Sequence, residues 1–332
     1  MGCLFSKSVH PGVDAIRRTV YARFVRLWSI FVFVALLHTT RSDAADETYA
    51  VLYPQATEST ERVFQDVRRS IATGISERGG RLIERSLPQN QDNREAVRQW
   101  LIEAKPTLVI ALGRTSIDAV AGLEKRYSII AAMADIPPGD NPAMSSVTML
   151  PEPLALFDTL RTLTPRTRRI FVVYDPGRHQ WLADLAARQA KTRNLSIVAL
   201  RADDVRAASL HFANIFRYAN PETDALWIID SQFASDDTTL RLIVEESWLA
   251  RFPVCSNAVQ HLTRAILCTT FVPPATTGQL VLQLADERLA GRAPRSLVTQ
   301  QASRGINIRT ASHLGIMLSS SAKRGFELVI GE

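Results

Sequence analysis

From residue 48 onward the chain alternates short, continuously apolar, β-rich runs with longer amphipathic stretches. That alternation restricts it to an α/β architecture built on parallel sheets. Residues 49–53 (YAVLY) read as a strand, and residues 57–78 as a helix with Val63, Phe64, Val67, Ile71 and Ile75 on one face, ended by Gly79-Gly80. Strands at 81–87, 107–112 and 128–134 then alternate with helices at 93–104 and 114–125. A run such as Leu108-Val109-Ile110-Ala111-Leu112 has no polar face, so its sheet must be covered on both sides.

After Pro137-Pro138, a Pro-rich passage and a helix at 154–163, the alternation starts again. Strands are expected at 170–174, 196–200, 225–229, 253–255 and 266–272. Helices are expected at 179–192, 204–219, 236–250, 258–264 and 276–290, followed by a closing strand and helix. Two similar lobes follow from this repetition.

The N-terminus has a different character. Arg17, Arg18, Arg23 and Arg26 precede the apolar run Leu27–Leu37, and small residues follow at Ser42-Asp43-Ala44-Ala45. This is the order of a secretory signal peptide cleaved near Ala44 or Ala45. The apolar run is only 11 residues long, against roughly 20 for a membrane-spanning helix. Met1-Gly2-Cys3 fits an N-myristoylation pattern, which is inconsistent with an export leader, and the residues after Arg17-Arg18 do not support twin-arginine export. The expected location is periplasmic. Beyond residue 45 the chain carries 33 basic and 31 acidic side chains, so the basic excess lies in the leader. No basic stripe remains to track a phosphate backbone, and no nucleic-acid partner is expected. Of the three cysteines, Cys255 and Cys268 lie beyond the leader; they can form a disulfide or remain buried thiols.

No Gly-x-Gly-x-x-Gly, Walker loop, His-Glu-x-x-His or Gly-x-Ser-x-Gly occurs. Ser320-Ser321-Ala322-Lys323 matches Ser-x-x-Lys, but without a companion Lys-Thr-Gly it reads as a serine-capped helix start. The six histidines are scattered without metal-ligand spacing. The pairs Asp203-Asp204 and Asp236-Asp237 each precede a helix, where N-capping accounts for them. The reading is of a protein that is not an enzyme and holds no cofactor or metal.

Arg168–Pro176 (RRIFVVYDP) resembles the "KRVGVLYNP" segment of the ABC-transporter substrate-binding family that includes tryptophan- and tyrosine-binding proteins. Gly305–Ile316 (GINIRTASHLGI) is similar to that family's "lvINlktAkaLGi" ending, and Thr107–Gly113 (TLVIALG) to its "DLIVALGT" strand and turn. The chain departs from the family at Arg114-Thr115-Ser116, at Asp230-Ser231-Gln232 where the family has "PTDN", and in a contracted segment at 269–278. The resemblance implies a type I periplasmic-binding-protein fold: two Rossmann-like lobes joined by a three-strand hinge. Residues 47–163 and 275–292 are expected in one lobe, 164–274 and 293–332 in the other. It implies a monomeric solute receptor working with a membrane permease. The alternative is a sensory or accessory protein on the same fold, partnering a membrane receptor or an outer-membrane transporter.

In open parallel sheets, ligands lie beyond the carboxyl ends of the strands. The candidate positions are therefore Tyr53 and Gln55 after the first strand, and Gly113, Arg114, Thr115 and Ser116 after the third. Tyr174, Asp175, Arg178 and His179 open the second lobe, and Asp230, Ser231 and Gln232 follow a later strand. Gly113–Ser116 can gather an anion such as a carboxylate, or Thr115 and Ser116 can simply cap the helix with Arg114 in solvent. Asp175 or Asp230 can pair with an amino group and Tyr53 or Tyr174 can stack on an apolar group, a layout suited to a zwitterionic, amino-acid-like solute.

Overall fold

In the computed structural model, residues 47–55, 58–229 and 232–331 are described. The leader, Asp230 and Ser231 lie outside them. Residues 47–332 form one compact unit that contains two sheets.

The first sheet is built on β1 (Thr48–Pro54), β2 (Arg81–Leu87), β3 (Leu108–Leu112), β4 (Ser128–Ala132), β5 (Ser145–Val147) and β11 (Ser296–Leu297). Its order is β11-β5-β4-β3-β1-β2, parallel throughout. Alternate residues of each strand enter opposite cores. Leu108, Ile110 and Leu112 pack with Val67, Ile71 and Ile75 of α1 (Glu58–Glu77), while Val109 and Ala111 pack with Val97 and Leu101 of α2 (Arg94–Ala104) and Ile117 of α3 (Arg114–Val120). Each such fully buried Leu, Ile or Val contributes about 1.5–3 kcal/mol, which holds the loops beyond β1, β3 and β4 on a stiff base.

The second sheet runs β13-β12-β10-β9-β8-β6-β7, with β6 (Arg169–Tyr174), β7 (Ser196–Arg201), β8 (Asp224–Ile228), β9 (Val254–Ser256), β10 (Cys268–Phe271), β12 (Ser303–Asn307) and β13 (Leu328–Ile330). Only the β10–β12 pairing is antiparallel. Its helices include α4 (Leu154–Leu163), α5 (Pro176–Lys191), α6 (Val205–Tyr218), α7 (Gln232–Ser235) and α8 (Asp237–Leu249), with a 3₁₀ turn at Val259–Arg264. α9 (Pro274–Leu289) returns to the first sheet and crosses α1 closely. A Cβ on Gly278 would run into Ser70, so only glycine permits that crossing.

The chain passes between the sheets three times: after β5, after β10 and after β11. The first and third passages run together, with Thr148 N donating to Leu297 O at 3.0 Å and Glu152 N to Thr299 O at 2.8 Å. Two expected boundaries shift. Leu156, Phe157, Leu160 and Leu163 of α4 join Ile170, Val172 and Trp227 in one core, so α4 packs with the second sheet and the first passage precedes residue 154. Ser296–Leu297 pair with β5, so the third passage falls after residue 297. The helix expected over 114–125 stops at Val120, because Ala121 is extended (ψ 131°) and Gly122 takes a φ of 84°. The helix expected at 258–264 is the 3₁₀ turn.

Candidate ligand-binding site between the lobes

Gly113 ends β3 and opens α3 with a φ of 78°, where an added Cβ would lie 3.1 Å from Phe64 Cζ and 3.3 Å from Pro54 Cδ. The position requires glycine. Its backbone sends Arg114 outward, and Arg114 Nη2 donates to the carbonyl oxygen of Asp135 at 2.8 Å. Thr115 lines a separate polar depression with Asn90, Asp92 and Arg94. Ser116 is fully buried, and its Oγ has no hydrogen-bond partner among the described residues.

On the second lobe, Asp175 caps α5 by accepting from Gly177 N at 2.8 Å, with Pro176 pre-set for the first helical turn. One turn on, Arg178 Nη1 donates to Asp135 Oδ2 at 3.4 Å. His179, with 0% exposure, brings Nε2 to 3.2 Å from the same oxygen, yet neither ring nitrogen is aligned for a hydrogen bond. Asp135 belongs to the loop after β4, so these contacts join the two lobes. Burial pushes its carboxyl upward, but the neighbouring His179 and Arg178 outweigh burial and hold it below the ordinary carboxylate value.

Four groups thus converge: Arg114 and Asp135 from the first lobe, Arg178 and His179 from the second. The other expected positions are placed elsewhere. Tyr174 is only 4% exposed, packed in the second lobe's core with its hydroxyl donating to Gln180 Oε1 at 2.9 Å, so its ring is not presented for stacking. The ring of Tyr53 is covered by the Arg68 guanidinium, 3.6 Å from the ring centroid, and Arg68 is in turn held by Glu84. Gln55 is exposed and bound through its backbone to Leu87 and Gln89. Gln232 is exposed at the start of α7, while Asp230 and Ser231 lie outside the described residues. Asp135 was missed by sequence reasoning. The signal for it was the rule that selected the others, since it directly follows the expected strand 128–134.

A second missed cluster supports the segment after β8. Ser256 Oγ accepts from Ala258 N at 3.0 Å and shares a hydrogen bond with His261 Nδ1 at 2.7 Å. The His261 ring also bonds the Ala234 backbone in α7. Burial is the main cause that lowers the His261 pKa from 6.5 to about 4, so the ring is neutral near pH 7. Ser256 and His261 have the spacing of a nucleophile and base. Both are buried, however, and the ring also bonds Ala234, so the pair ties β9, the 3₁₀ turn and α7 together. Beside it, Cys255 and Cys268 stand opposite each other on β9 and β10, joined by a disulfide with a Cα–Cα distance of 4.7 Å. Among the described residues there is no cluster able to hold a metal ion, and no helix long and apolar enough to cross a membrane.

Two α/β lobes, each on a mainly parallel sheet and connected by three chain passages, make up the type I periplasmic-binding fold, the fold of ABC-transporter solute-binding proteins. No family model and no curated protein matches the sequence. Solved structures do match the fold. A ligand-free, open substrate binding protein with adhesive properties from Clostridium difficile superposes with a TM-score of 0.66 at 11% identity, covering 86% of this chain and 100% of that one. An ABC domain in complex with L-Trp from Streptococcus pneumonia gives 0.60 at 14% identity, again over 86% and 100%. A glucose-galactose binding protein from Geobacillus stearothermophilus gives 0.50 at 14%, over 78% and 96%.

Proposed function

We propose that this protein is an exported solute receptor that captures a small molecule between its lobes and delivers it to the membrane permease of an ABC transporter. It acts as a monomer and by binding, not by catalysis. The observation that carries the reading is the convergence of Arg114, Asp135, Arg178 and His179 from the two lobes at the carboxyl ends of their sheets. Loops in this position approach each other when the lobes close and separate when they open. The solute is an amino-acid-like molecule whose carboxylate is received by Arg114 and Arg178, with Gly113 and Asp175 at the strand ends that carry them. The neighbours include one in complex with L-Trp and one that binds glucose and galactose, which supports a small-molecule ligand.

A thermal-shift screen over amino acids, short peptides and small organic acids tests this. Ligand at 100 times its Kd stabilises the folded state by about 2.7 kcal/mol, which raises the melting temperature measurably. No shift with any compound would overturn the reading. Once a solute is found, Arg114→Ala is expected to weaken it by about 1.5–3 kcal/mol through loss of a charge-assisted contact. Unchanged affinity by calorimetry would remove Arg114 from the site.

A further inference from the structure

Asp135 brings a carboxylate from the first lobe to Arg178 and His179 of the second. Its Oδ2 is shared between Arg178 and the fully buried His179 of the opposite lobe, and its backbone carbonyl is held by Arg114. The loop carrying it is shaped for this reach, because Met133, just after β4, takes a φ of 57°, a conformation that non-glycine residues rarely adopt. The imidazole of His179 has no aligned partner and no exposed surface. A buried polar ring left unsatisfied is costly, and Asp135 Oδ2, 3.2 Å from Nε2, is an acceptor within reach of it. The Arg178 side chain is 53% exposed, which leaves the same guanidinium reachable from solvent.

We propose that Asp135 is a built-in counter-ion that latches the ligand-free lobes together, and that the anionic group of the solute takes its place on Arg178 and His179. This rests on the reading of the cleft as a capture site, and it adds a regulatory step. The ligand-free protein populates a closed form, and uptake requires exchange of an internal carboxylate for an external one. A contact made only in the closed form biases the closed–open equilibrium by the free energy of that contact, so removing it shifts the population toward open.

The test needs no ligand. Small-angle X-ray scattering is recorded on ligand-free protein purified from an exporting host, for wild type, Asp135→Asn, Arg178→Gln and the double variant. Circular dichroism checks that each is folded. A larger radius of gyration in both single variants, with no further increase in the double variant, is the expected result. Profiles indistinguishable from wild type in Asp135→Asn and Arg178→Gln would overturn the latch. If Asp135→Asn fails to fold, Arg178→Gln decides, since it alters a half-exposed side chain: an enlarged radius supports the latch and an unchanged one overturns it. The scattering result stands apart from the solute screen. Wild type that responds to a solute with no change in the variants defeats the latch alone, and opened variants with no responding solute uphold the latch but defeat the receptor reading and with it the exchange.

Discussion

Reducing the Cys255–Cys268 bridge should destabilise the second lobe by about 3 kcal/mol. The two cysteines are 13 residues apart and occupy directly opposed positions of β9 and β10. Closing a loop of this size in the unfolded chain removes roughly 10 cal/mol/K of entropy, or about 3 kcal/mol at 25 °C. Both cysteines are fully buried, so a reductant reaches the bridge only through opening of the fold. The oxidised form should therefore survive dithiothreitol in buffer and lose the bridge in denaturant. Comparing the same sequence in two redox states avoids the cavity that Cys→Ala would create. The assay is urea unfolding followed by tryptophan fluorescence, because Trp181, Trp227 and Trp248 all report on this lobe. The midpoint should fall while the slope changes little, apart from the greater expansion of an uncrosslinked unfolded state. A difference below about 1 kcal/mol would refute loop closure as the source of stabilisation. Two reactive thiols per chain in denatured, never-reduced protein beginning near Asp46 would refute the bridge itself.

The other expected outcomes concern titration, an ion pair with a buried carboxylate, and processing. His261 has a pKa of about 4 in the folded state against 6.5 ordinarily, so between these values the unfolded chain binds a proton that the folded protein excludes. Its stabilising effect is complete above pH 6.5 and falls by about 3 kcal/mol as the pH drops towards 4. Urea midpoints of His261→Gln that show the same pH dependence as wild type would contradict this. Asp224 is fully buried, accepts from Arg169 at 2.6 and 2.8 Å and from Asn220 N at 2.8 Å, and despite the upward push of burial titrates below its ordinary value. Asp224→Ala should cost about 1.5–3 kcal/mol by removing its charge-assisted bonds, and a loss under 1 kcal/mol by denaturation would show that water replaces the carboxylate. Exported protein should begin close to Asp46, and an intact mass that retains residues 1–44 would exclude cleavage there.

Local chemistry made much of this protein legible from its sequence. The unbroken apolar run Leu108–Leu112 implied a strand buried on both faces, and in the structure its alternate residues enter two separate cores. Asp204 and Asp236, each just before a helix, accept from Ala207 N and Thr239 N as N-caps. These features depend on backbone geometry over a few residues, so a single stretch of chain contains all the information they need. β5 and β11 have only three and two residues, and β11 is a strand only because β5, 150 residues away, pairs with it. The assignment of α4 to the second lobe, the pairing of Cys255 with Cys268, and the meeting of Asp135 with Arg178 and His179 likewise required three dimensions. Which side chains meet across a cleft depends on where the chain crosses between sheets, and no periodicity along the backbone encodes that distance.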